Sequence, residues 1–182
     1  MDRFDRVTLL IISVCGVAVL LASWWYLVHV RSAVPPDSPR ARVFSEAAQF
    51  TSHDGEEITI VPNRDEFLVI HTWATWCPVC HTSITEFATV SEQFSGQPVR
   101  FLAINRKEAS HTTARFLQQY SFPASLEILH DTTDHVFTEL EGYTAPETVI
   151  IAPSGASIYH RRDSFQSEEL MQVLEEALTN SQ

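Results

Sequence analysis

Two cysteines separated by two residues, placed directly after an unbroken apolar run, constrain this chain more than any other feature of it. The run is Phe67-Leu68-Val69-Ile70-His71-Thr72-Trp73, of strand length and apolar enough for a central strand covered on both faces. Cys77-Pro78-Val79-Cys80 comes next, and from Thr82 to Phe94 the apolar residues Ile84, Phe87, Val90 and Phe94 recur at helical spacing. The pair therefore falls at a strand-to-helix junction. Cys77, at the first turn, meets unpaired backbone N–H groups and the positive end of the helix dipole, which favour thiolate over thiol. Cys80 lies one turn further in and is less solvated. Cys77 is the expected attacking sulfur, and Cys80 the one that resolves the mixed disulfide.

Other uses of a Cys-x-x-Cys pair fit less well. Half of a structural zinc site needs a second pair of ligands, and the third cysteine, Cys15, sits far off in an apolar segment. No metal or other cofactor is called for. A disulfide closing so short a loop constrains the unfolded chain little. His81 beside Cys80 leaves open a copper site with the two thiolates, hence a metallochaperone as an alternative of another class.

The rest of the chain reads as one domain behind an anchor. Val7 to Val30 contains no charge, is long enough to cross a hydrocarbon core of about 30 Å, and carries Trp24, Trp25 and Tyr26 toward its end. It lacks a clean small-x-small cleavage site, so residues 1–31 are expected to be an uncleaved transmembrane helix. Ser32 to Arg42, rich in proline, reads as a short stiff tether, with the domain over residues 43–182. There, Phe50–Ser52 and Glu57–Ile60 suggest a hairpin turning at Asp54-Gly55; Val99–Asn105 a second buried strand; and Thr112–Tyr120 a helix between strands. Glu147–Ala152 and Ala156–Arg161 form a second hairpin, and Ser167–Leu178 a closing amphipathic helix. The expected class is α/β, a mixed central sheet flanked by helices.

Charge excludes some partners. The first thirty residues carry two Arg and two Asp, so the net charge of -11 belongs to the remainder, where Lys107 is the only lysine. Nucleic acid and anionic lipid surfaces both need clustered cations and are not expected partners.

Trp73-Ala74-Thr75-Trp76-Cys77-Pro78-Val79-Cys80 together with Ala145-Pro146-Glu147-Thr148 resembles the membrane-anchored thioredoxin-like proteins of the bacterial envelope, of the TlpA/DsbE/CcmG kind. The resemblance spans residues 44–180. It implies a thioredoxin-like fold, a single-pass inner-membrane protein with its catalytic domain in the periplasm, and reduction of partner-protein disulfides in cytochrome c biogenesis. It also implies a redox-active Cys77–Cys80 disulfide supported by Trp76 and Pro78, and recharging by a membrane thiol donor of the DsbD type. Pro146 would be cis, with the backbone of Ala145 pairing with substrate as an added strand; an ordinary trans proline before a strand is the other reading.

Two positions depart from the family pattern. A glutamate usually stands three residues after the second cysteine, where this chain has Ser83; Glu86 is expected to be solvated. His71 stands where a buried acid often lies under the cysteines. Neutral imidazole there either accepts the Cys80 proton or is a strand histidine with a backbone partner. Family potentials run from about -270 to about -120 mV, so direction is not fixed by the motif, though Pro-Val between the cysteines favours a reductant. A disulfide oxidant or isomerase, or a copper-tolerance oxidoreductase of the ScsD type, is the alternative.

Overall fold

The computed structural model describes residues 48–52, 55–61, 63–140 and 142–181, together with Gly16, Val19, Leu21 and Trp24. The chain falls into two compact units, Met1–Val34 and Pro35–Gln182. In the first, the four described residues are helical and exposed; the expected anchor over 1–31 and the tether over 32–42 otherwise lie outside the described residues. Among the described residues no helix is long and apolar enough to cross a membrane.

The second unit is built on a seven-stranded sheet. In chain order its elements are β1 (Ala48–Ser52), β2 (Glu57–Ile60), β3 (Phe67–Trp73), α1 (Pro78–Gln93), β4 (Val99–Arg106), α2 (Ser110–Leu117), β5 (Leu126–Asp131), α3 (His135–Glu139), β6 (Glu147–Ile151), β7 (Ser157–Arg161) and α4 (Ser167–Asn180). The strand order is β2-β1-β5-β4-β3-β6-β7, with β3, β4 and β5 parallel and the remaining pairs antiparallel. β3 is thus central, flanked by β4 and β6, as its apolar run predicts.

Alternation along the strands splits the interior into two layers. Val69 and Trp73 pack with Phe87 of α1, Phe101, Phe116 of α2, Phe165 and Leu174 of α4. Ile70 faces the other way, against Leu102, Ile104, Leu129, Val136 of α3 and Val149. Gly55, in the first hairpin's turn, has φ +88, a conformation that glycine adopts without the steric cost a Cβ brings.

Two details differ from the sequence expectation. The helix expected over 112–120 ends at Leu117, because Gln119 and Tyr120 donate to Phe116 and Leu117 in three-residue turns ahead of Pro123. β5 and α3 lie outside the elements that the sequence pattern predicts. The carboxylate of Asp131 holds α3 in place, accepting from the amides of His135 (2.9 Å) and Val136 (2.7 Å).

Candidate active site

The site forms where the C-terminal end of β3 meets the start of α1. Cys77 is the residue preceding that helix and Pro78 opens it, a position where a missing N–H is tolerated. The amide of Cys80 donates to Cys77 Sγ at 3.2 Å, so the sulfur itself caps the helix. Cys77 and Cys80 are joined by a disulfide. Cys77 is 4% exposed and Cys80 is sealed at 0%, while Trp76 beside them is 64% exposed. Of the two sulfurs Cys77 is the less enclosed, and an N–H donated to it favours thiolate over thiol.

Across from Cys77 lies the segment before β6. The Ala145–Pro146 peptide is cis, and the Ala145 carbonyl oxygen stands 3.5 Å from Cys77 Sγ. The two motifs, distant in sequence, meet because β3 and β6 are antiparallel neighbours, which sets the end of one beside the beginning of the other.

His71 is completely buried. Its register partner on β6 is Thr148, whose Oγ1 is 2.9 Å from Nδ1; on the other side Nε2 is 3.0 Å from Ser83 Oγ. The two departures from the family pattern therefore bond to each other, and the Ser83 hydroxyl also lies 3.3 Å from the Cys80 carbonyl. The ring stacks on Phe87 at 4.9 Å. Burial pushes the imidazole down from 6.5 to about 3. Its partners are two hydroxyls, which satisfy either neutral tautomer but balance no charge. This geometry suits a neutral support beneath α1 better than a group that stores the thiol proton.

Several residues at the site carry no sequence motif of their own. Glu108, just past β4, accepts from the Thr75 amide (2.7 Å), the Thr75 hydroxyl (2.5 Å) and Asn105 Nδ2 (2.7 Å), fastening the turn that leads to Cys77. His81 Nε2 donates to the Thr75 carbonyl at 2.7 Å, so the ring considered above for copper is turned to the backbone. Among the described residues no group of three or more His, Cys, Asp or Glu is placed to hold a metal. Glu86 is half-buried on α1.

Glu147 begins β6 and is 0% exposed, on the opposite face of the sheet from His71. Its Oε1 accepts from the amides of Tyr143 (2.7 Å) and Thr144 (3.2 Å), with Arg162 Nε at 3.9 Å, and His160 Nε2 lies 3.3 Å from Oε2. Burial works to raise this carboxyl, but the hydrogen bonds from His160 and the two amides prevail and hold it below the usual range. In sequence Glu147 stands within the second motif, as the one charged residue of its strand.

Known proteins resemble this chain in sequence and fold. The profile of the AhpC/TSA family matches residues 43–159. Thiol-disulfide oxidoreductase ResA of Halalkalibacterium halodurans is 27% identical over 95 residues, covering 50% of this chain and 54% of that protein. Thiol:disulfide interchange protein DsbE of Vibrio cholerae is 27% identical over 114 residues, covering 61% and 58%. The chain thus spans somewhat over half the length of these relatives. Among solved structures, StoA from Bacillus subtilis superposes with a TM-score of 0.61 at 18% identity, over 71% of this chain and 96% of that one. The fold is thioredoxin-like, as the motifs imply.

Proposed function

Because this chain belongs to the AhpC/TSA family, we propose that it is a thiol–disulfide oxidoreductase that reduces disulfides of partner proteins. The observation that carries the reading is the Cys77–Cys80 disulfide at the head of α1, with Cys77 the less enclosed of the two sulfurs and the Ala145 carbonyl beside it. In the reaction, the Cys77 thiolate attacks one sulfur of a partner disulfide, and the partner's other sulfur leaves as a thiolate and takes a proton. Cys80, deprotonated, then attacks Cys77 Sγ in the mixed disulfide. The partner's second thiolate departs, Cys77–Cys80 re-forms, and two electrons have passed to the partner.

Trp76 and Pro78 frame the attacking sulfur, Ala145 and Pro146 present the backbone edge to the partner, and His71 supports α1 as a neutral ring. The names of the relatives, thiol-disulfide oxidoreductase and thiol:disulfide interchange protein, support the same chemistry. We further assign the chain to the bacterial inner membrane through residues 7–30, with the domain over 43–182 in the periplasm. There it serves cytochrome c biogenesis and is recharged by a membrane thiol donor of the DsbD type. In a compartment kept oxidising, tethering near donor and substrate raises their effective concentration.

Trapping tests this. Cys80→Ser in the full-length chain should accumulate a mixed disulfide on Cys77 that mass spectrometry identifies, with an apocytochrome c or its ligation machinery among the adducts. An adduct that requires Cys80 instead reverses the roles. A reduction potential above about -180 mV would count against a reductase.

A further inference from the structure

Glu147 is the fully buried acid of the site, yet no step of the exchange reaction uses it. Burying a carboxylate costs several kcal/mol unless its oxygens are well partnered, so its arrangement of donors is informative. Oε1 receives two consecutive amides, those of Tyr143 and Thr144, and thereby fixes the orientation of successive peptide planes. Those planes lead directly to the Ala145 carbonyl, 3.5 Å from Cys77 Sγ. His160 and Arg162, from and just after β7, hold the carboxylate from the other side, and its own amide donates to Thr72 Oγ1 at 3.2 Å. The side chain of Tyr143 meanwhile stands 86% exposed, so the segment owes its placement to its backbone rather than to packing of that ring.

We propose that Glu147 is a positioning residue for partner recognition: through Oε1 it holds Tyr143–Ala145 as a preformed backbone edge beside Cys77, selecting extended polypeptide next to a disulfide. Preorganising such an edge removes the cost of ordering it when the partner arrives. The inference rests on the reading of Cys77 as the attacking thiol. It assigns Glu147 to binding rather than to proton transfer, and it requires an acceptor oxygen rather than a negative charge.

The test uses the reduced full-length chain with insulin as the disulfide probe, comparing Glu147→Ala and Glu147→Gln with the unaltered protein. Glu147→Ala should raise KM for insulin about tenfold with kcat nearly unchanged, as expected when a recognition edge loses its order. Glu147→Gln, whose amide oxygen still accepts both N–H groups, should stay within about threefold of the parent. The pH profile of Cys77 alkylation by iodoacetamide should be the same in all three. A shifted profile overturns the proposal, as does an unchanged KM in Glu147→Ala or an equal loss in Glu147→Gln. Should Glu147→Ala fail to fold, amide exchange in the unaltered protein decides: slowed exchange at Tyr143 and Thr144 supports the inference, and unprotected rates overturn it. Failure of the unaltered chain to reduce insulin at all would instead overturn the oxidoreductase reading and, with it, this one.

Discussion

His71 is held neutral between two hydroxyls, and that has a measurable thermodynamic consequence. In the unfolded chain the imidazole titrates near 6.5, whereas burial pushes the folded value to about 3. Between those values the unfolded state binds a proton that the folded state refuses, so stability is full above pH 6.5 and falls as the pH drops toward 3. At about 1.36 kcal/mol per unit, lowering the pH from 7 to 4 should withdraw about 3 kcal/mol through this residue alone. His71→Asn removes the titration. At pH 7 the variant should be less stable by about 1–3 kcal/mol, because Ser83 or Thr148 loses a partner. By pH 4 the gap should close or reverse. Urea unfolding followed by circular dichroism at pH 7, 5.5 and 4 measures both curves, and other titrating groups cancel in the difference. Parallel curves for parent and variant would refute the reasoning, since His71 would then titrate alike in both states.

Three further outcomes follow from the same geometry. Glu108→Ala leaves Thr75 and Asn105 without their acceptor and should lower unfolding free energy by about 1–3 kcal/mol, read by urea denaturation. Phe87→Ala removes a fully buried ring stacked on His71 and should cost about 3–5 kcal/mol in the same measurement. Trp76→Ala, at an exposed position, should change stability by no more than about 0.5 kcal/mol while slowing insulin reduction.

What the sequence made legible follows the strength of its periodic signals. Phe67–Trp73 and Val99–Asn105 are continuous apolar runs, and both are central strands with nearly those bounds. The cysteine pair announced its strand-to-helix junction because spacing and flanking patterns agreed. β5 has no such signal, because Glu127, His130 and Asp131 interrupt its apolar character and the last two become buried only through tertiary contacts. The partnership of His71 with Ser83 and Thr148 was invisible for a related reason. It depends on the register of β3 against β6 and on which way α1 faces, neither of which a single chain of letters displays. Glu108 and Glu147 bind backbone amides, which every residue but proline possesses, so their targets left no mark in composition.

The first hairpin joins the rest of the sheet by a narrow seam. β1 meets β5 through two register pairs, Thr51 with His130 and Ser52 with Leu129, whereas β3 and β4 are matched along the whole of β3, from Phe67 to Trp73. Separating the hairpin from the sheet therefore breaks fewer strand pairs than separating β3 from β4. Loss of the hairpin would uncover Phe50 and Ile60 in their layer while β3, β4 and β6, which position the cysteine helix, kept their registers.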